Sequence, residues 1–115
     1  MKRLLFVDDE EFFRNMIPMA LKGMFDVQTA ADADEASGLL DSSIFDVVMT
    51  DYDLKDTHDG VWILEQVKRK FPDALRILFS GSDTDEFRQH VKSGLIHRFV
   101  PKVSTVKEII ALVSG

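Results

Sequence analysis

Four aspartates, a serine and a lysine stand where side chains could work together in this 115-residue sequence. Asp8 and Asp9 follow the apolar run Leu4–Val7. Asp51 ends the run Phe45–Thr50, with Asp53 two residues on. Ser80 closes Leu75–Phe79, and Lys102 lies just past Arg98–Val100. Carboxylate oxygens suit Mg²⁺, which prefers octahedral oxygen coordination and keeps waters that a phosphate can replace. A central aspartate can take up a phosphoryl group as a mixed anhydride. The oxygens of a moving phosphoryl group then need neutralising by a metal, a lysine and a hydroxyl donor. Carboxylates held close raise one another's pKa unless a cation sits among them, so such a cluster calls for a metal ion or a lysine.

The intervening segments decide whether these residues can meet. Leu4–Val7, Phe25–Ala30, Phe45–Thr50, Leu75–Phe79 and Arg98–Val100 read as five short strands. Phe13, Met16, Ile17, Ala20, Leu21 and Met24 repeat at helical spacing, with Pro18 inside the pattern predicting a kink. Asp32 with Glu35 forms a capping box ahead of Ala36, Leu39 and Leu40. Val61, Leu64, Val67 and Phe71 predict a third helix, ended by Lys68, Arg69, Lys70 and Pro72. Asp83 with Glu86 and Thr105 with Glu108 signal two more helix starts, the first helix ending near Gly94. Five strands alternating with five helices make an α/β fold, a parallel sheet with right-handed crossovers and helices on both faces. In such sheets the ligand crevice lies beyond the carboxyl ends of the strands, where the acids, Ser80 and Lys102 fall.

Composition narrows the alternatives. The length predicts a single domain over residues 1–115, and 45% hydrophobic with 30% charged residues is ordinary for a folded chain. The sequence has no cysteine, which excludes disulfides, thiolate catalysis and cysteine-held metals. The basic pair Lys2-Arg3 precedes an apolar stretch too short for a signal peptide, and no run reaches membrane-spanning length. The expected location is the cytoplasm, with no membrane partner. A net charge of −6 and a pI near 4.9 argue against direct nucleic-acid binding. The charge is uneven: residues 1–60 hold 14 acids and 5 bases, residues 61–115 hold 6 acids and 9 bases. Glu10, Glu11 and most other acids read as a solvated face.

Val7-Asp8-Asp9-Glu10, Phe45 to Asp51, Asp59-Gly60, Ile77 to Gly81 and Phe99-Val100-Pro101-Lys102 resemble, in order and spacing, the landmarks of the response-regulator receiver domain, the CheY-like family of two-component signalling. The resemblance covers essentially the whole chain. It implies a flavodoxin-like, doubly wound sheet in the order 2-1-3-4-5. It implies that Asp51 is the phosphoacceptor, with Ser80 and Lys102 engaging the phosphoryl group. Asp9 would ligate Mg²⁺ directly, Asp8 through water, and Asp53 through its backbone carbonyl. Phe99 matches an aromatic whose rotamer reports the switch. The implied partners are a sensor histidine kinase or phosphotransfer protein and an output domain or downstream protein. A homodimer is also open, and the chain would catalyse its own phosphorylation and dephosphorylation.

Three departures stand out. Pro101 precedes Lys102 and Val103 follows it, where receivers carry Lys-Pro with a cis bond between the two. The 51–60 loop lacks the family's usual proline and is one residue longer. Ser80 replaces the commoner threonine.

Blander readings exist for each residue. Asp51 could cap a loop, Asp8 with Glu11 also fits a capping box, Ser80 could be a turn residue, and Phe99 could be core. His58, His90 and His97 have no ligand spacing and read as surface or loop residues, and Trp62 reads as a partly exposed contact residue. Arg88, Lys92, Arg98 and Lys107 form a basic face that in receivers often docks partners. Two other functions compete with a phosphorylation switch. Asp51-Tyr52-Asp53 fits the Asp-x-Asp of haloacid-dehalogenase-like phosphatases, and a degenerate receiver would keep the fold without using the aspartate.

Overall fold

The computed structural model describes residues 1–54, 58–81 and 85–114. Its elements alternate as β1 (Lys2–Val7), α1 (Glu11–Ala20), β2 (Phe25–Ala30), α2 (Ala33–Ser42), β3 (Val47–Asp51), α3 (Gly60–Lys70), β4 (Leu75–Ser80), α4 (Asp85–Lys92), β5 (Arg98–Pro101) and α5 (Val106–Ser114). The strands form one parallel sheet in the order β2-β1-β3-β4-β5.

Strand alternation sorts the core into two layers, because successive side chains point to opposite faces. Leu4, Phe6, Met49, Ile77 and Phe79 face α1 and α5, packing with Ile17, Leu21, Ile109 and Val113. Leu5, Val7, Val48 and Leu78 face α2 and α3, packing with Ala36, Leu40, Ile63, Leu64 and Val67. Both sides of the central strands are dry, which is why those strands read as unbroken apolar runs.

The expected helix signals mostly hold. Asp32 accepts a hydrogen bond from the Glu35 amide at 2.8 Å. Thr105 and Glu108 cap reciprocally at 2.9 and 3.2 Å. Asp59 caps α3 through the Trp62 amide at 2.9 Å, a cap the sequence pattern had not singled out. Asp83, and with it the Asp83–Glu86 box, lies outside the described residues. Helix α1 runs through Pro18 as one element. Met24 does not extend that helix. The chain turns at Gly23, whose φ of 82° suits glycine, and the Met24 amide closes the turn on the Leu21 carbonyl.

The end of the sheet remote from the strand carboxyl termini is tied by a buried cation. Arg76, 3% exposed, donates to the carbonyls of Leu95 at 2.7 Å, Gly94 at 3.0 Å, Pro72 at 3.2 Å and Ala74 at 3.4 Å. One side chain thus closes both the α3–β4 and α4–β5 connections. His97, read from sequence as a surface or loop residue, accepts the Arg76 amide at Nδ1 (3.0 Å). Burial, then the charges of Arg76, Arg98 and Lys68, push its pKa below the usual value and keep the ring neutral. Arg76→Ala should cost about 3 kcal/mol or more, because buried carbonyls lose their donors. Arg76→Lys should recover less than half, since an ammonium cannot span them. Urea denaturation of the three proteins would measure this.

Candidate functional site

The topology delivers the candidate residues to one rim. Asp8 follows β1, Asp51 ends β3, Ser80 ends β4, and Lys102 follows β5. Lys102 is the centre of the cluster. Its ammonium lies 3.1 Å from Asp8 Oδ2, 3.2 Å from Asp51 Oδ2 and 3.2 Å from Glu10 Oε1. The Pro101-Lys102 order therefore does not displace the lysine. Backbone pairing fixes it, with Ser80 opposite Pro101 in the sheet and the Lys102 amide donating to the Ser80 carbonyl at 3.0 Å. No cis peptide occurs among the described residues.

Asp8 is fully buried. Its Oδ1 accepts the Glu10 amide at 2.8 Å, and the Arg14 guanidinium donates to its backbone carbonyl at 3.0 Å. Asp8 therefore does not cap α1, whose N-cap is Glu10 without a side-chain bond. Glu10, read as part of a solvated face, instead joins the site through Lys102. Its place directly after the acidic pair, at a helix start, is the signal that could have found it.

Burial raises the pKa of Asp8, and the Glu10 charge adds to the rise against the lowering effects of the Glu10 amide and Lys102. Burial and then the neighbouring Asp8 charge push Asp51 up to about 6, while Lys102 and the Asp53 amide pull the other way. For Lys102, burial works downward, but the charges of Asp51 and Asp8 win and the net shift is upward.

The donor set fits a hard cation. Asp8, Asp9 and Glu10 bring carboxylate oxygens within 4.8 Å of one another. Asp8 Oδ2 is buried, with the Lys102 ammonium at ion-pair distance and no backbone donor bonded to it among the described residues. Asp51 is joined to this group through Lys102. Asp53 reaches the site through its backbone, its amide donating to the Asp51 carboxylate, while the residue itself is exposed.

Gly60 explains how the loop after Asp51 returns. Its amide donates to the Tyr52 carbonyl at 2.8 Å, and a Cβ there would lie 2.0 Å from the Asp51 carbonyl oxygen. Only glycine lets α3 start against the backbone of the central aspartate. Ser80 is buried at the rim and borders a cavity of about 230 Å³ that Gly81, Phe99, Pro101, Lys102 and Val103 also line. Phe99 is half-buried, packed against the α2/α3 side of the core. His58 stacks on Trp62, ring centroids 3.9 Å apart, beside the same loop. Arg88 and Lys107, two residues of the expected basic face, are exposed, and His90 is half-buried.

This fold is that of a known family. Residues 4–114 match the model of the response regulator receiver domain, and the chain belongs to that family, the receivers of two-component systems. It is 27% identical to the hydrogenase transcriptional regulatory protein HoxA of Bradyrhizobium diazoefficiens over 95% of this chain and 24% of that protein. It is 36% identical to a putative response regulator, NtrX-like, of Rickettsia conorii over 72% of this chain and 18% of that protein. The chain thus spans a quarter or less of these curated relatives. Its backbone matches the response regulator TrrA of Thermotoga maritima, solved with Mg²⁺ and a beryllium fluoride, with a TM-score of 0.83 and 26% identity, over 96% of this chain and 95% of that one. Family membership sets aside the haloacid-dehalogenase alternative. No described helix is long and apolar enough to cross a membrane.

Two outcomes follow from the packing of the rim. Gly60→Ala should cost about 2–4 kcal/mol, because backbone rather than a yielding side chain opposes the new methyl; thermal unfolding would read it. Asp51 holds its proton up to about pH 6 when folded but only to about 3.8 when unfolded, so its contribution to stability rises as pH falls through that window. Asp51→Asn should therefore be more stable than the native protein at pH 7.5. The gain is about 1–2 kcal/mol after allowing for solvent screening, and it should vanish as the pH is lowered to 4. Unfolding midpoints of both proteins from pH 4 to 8, without divalent cations, would check this.

Proposed function

We propose that this chain is a phosphoacceptor: Asp51 takes a phosphoryl group from a phosphohistidine on a sensor kinase or phosphotransfer protein, and the modified domain presents a changed surface to an output partner. The observation that carries the reading is the shared lysine, one ammonium bridging the buried Asp8 and Asp51 at 3.1 and 3.2 Å. A buried carboxylate kept beside a second one, with a cation between, is arranged for chemistry rather than for stability. We read residues 1–115 as one receiver domain working in the cytoplasm.

In this mechanism Asp51 is the nucleophile. With a pKa of about 6 it is largely ionised at neutral pH. Its carboxylate oxygen attacks phosphorus, the phosphorus–nitrogen bond to the donor histidine breaks, and the nitrogen keeps the electron pair. Lys102 loses one partner oxygen as the anhydride forms and turns its charge to the phosphoryl group. Ser80, at the adjoining strand end, donates its hydroxyl to another phosphoryl oxygen. Asp8 and Asp9, with the Asp53 backbone carbonyl and Asp51 itself, would hold Mg²⁺, which when bound supplies charge neutralisation to the transferring group. A phosphoryl oxygen that draws Ser80 inward leaves the cavity beside it open to Phe99. The equilibrium between two surfaces then moves by the phosphoryl group's preference for one of them. The relatives' names point to transcriptional regulators as the setting for such an output.

Incubation with acetyl phosphate and Mg²⁺, followed by intact mass, tests the reading. One phosphoryl group should add to the native protein and none to Asp51→Asn, and Asp9→Asn should need far more Mg²⁺ for the same labelling. Failure of the native protein to label, together with no Mg²⁺-dependent rise in its unfolding midpoint, would instead make it a receiver that binds partners without phosphorylation.

A further inference from the structure

Three carboxylates surround the Lys102 ammonium, yet charge alone does not fix it. An ammonium is a compact, non-directional charge on a four-carbon stem. One of its partners, Glu10, is 56% exposed and free to draw it outward. The chain after it gives no restraint: Pro101 to Ser104 is a turn closed at 3.0 Å, and Val103 is 91% exposed. The side chain is nevertheless only 14% exposed. Besides the carboxylates, two aromatic rings lie against it.

The ammonium lies over the ring of Phe13, 4.8 Å from its centroid, and over the ring of Phe79 at 5.6 Å. These rings are themselves fixed. Phe13 meets Phe79 edge to face at 5.1 Å and 80°, and Phe79 meets Phe6 at 5.5 Å and 73°. The stack runs from β1 through β4 to α1. Phe6 and Phe79 are fully buried core residues, whereas Phe13 is half-buried on the helix that directly follows the acidic rim. The negative face of an aromatic ring attracts a cation, more so where water is excluded.

We infer that Phe13, backed by Phe79, is a positioning residue that holds the Lys102 ammonium between Asp8 and Asp51. The ring faces supply the direction that the carboxylates cannot, and they oppose the pull of Glu10. The consequence for phosphoryl transfer rests on the function proposed above; the holding of the lysine does not.

Fluorination of the ring separates this role from packing, because it weakens the negative face while leaving the shape nearly unchanged. Phenylalanines bearing one, two and three fluorines would be placed at position 13, with Phe13→Tyr and Phe13→Leu alongside. The primary reading is the Lys102 ammonium resonance by NMR, assigned by its loss in Lys102→Arg and recorded without phosphodonor. Its position and its protection from solvent exchange should change stepwise with each fluorine, while unfolding midpoints stay level. Phe13→Tyr should resemble the native protein, and Phe13→Leu should fall at or beyond the trifluorinated end. Labelling of Asp51 by acetyl phosphate should slow in the same order, by about threefold to tenfold across the series. An ammonium resonance indifferent to fluorination would overturn the inference, whatever the labelling. Stepwise change in a protein that never labels would uphold it while defeating the phosphoacceptor reading.

Discussion

Two carboxylates that repel each other and one lysine that tolerates both are the interaction on which the rest of this molecule depends. Asp8 and Asp51 end neighbouring strands of a parallel sheet, so the sheet itself holds them together. Removing such groups from water is costly, and the raised pKa values of both acids register that cost. The lysine directly follows the fifth strand, at the far edge of the sheet, and the order β1-β3-β4-β5 brings it within reach. The fold is therefore a device for assembling a local arrangement that no short peptide could sustain.

The apolar layers pay for this. Above and below the sheet the packing is dry, with Phe6, Met49, Ile77 and Phe79 on one side and Leu5, Val48, Leu78 and Ile63 on the other. Among the described residues, buried charge is confined to Asp8 and Asp51 at the rim and to the Arg76 anchor at the opposite end. The same parallel topology that buries the strands leaves their carboxyl ends free of crossing chain, and so gives the charged groups somewhere to stand.

Much of this was legible from residue order. Unbroken apolar runs mark strands covered on both faces, and each boundary fell within one residue of its expected place, apart from the starts of β1 and β3, which lie two residues off. Lys2 and Arg3 joined β1 because they pair with Phe25 and Asp26, and Phe45 and Asp46 precede β3 in a turn tied to Arg3. Asp8, Asp51, Ser80 and Lys102 were legible because a strand end is a position that a pattern can name. Glu10 was not: its partner lies 92 residues away, and no local rule tells a solvated glutamate from one bonded across the molecule. The same holds for Phe13, whose helical spacing marks it as core without saying what its ring faces. Gly60 stood in the motif, but the reason for it, a carbonyl where a side chain would be, belongs to tertiary structure alone. Met24 was misread since helical spacing continued by chance into a turn.

Arg76 has a mechanical meaning beyond its hydrogen bonds. By gripping the carbonyls of Pro72, Ala74, Gly94 and Leu95 it fastens the starts of β4 and β5 to one point. The opposite ends of the same two strands carry Ser80 and Pro101-Lys102 and border open space. Arg76 therefore sets the register of the two strands from the end opposite the chemistry, so that the rim inherits an alignment fixed some way from it.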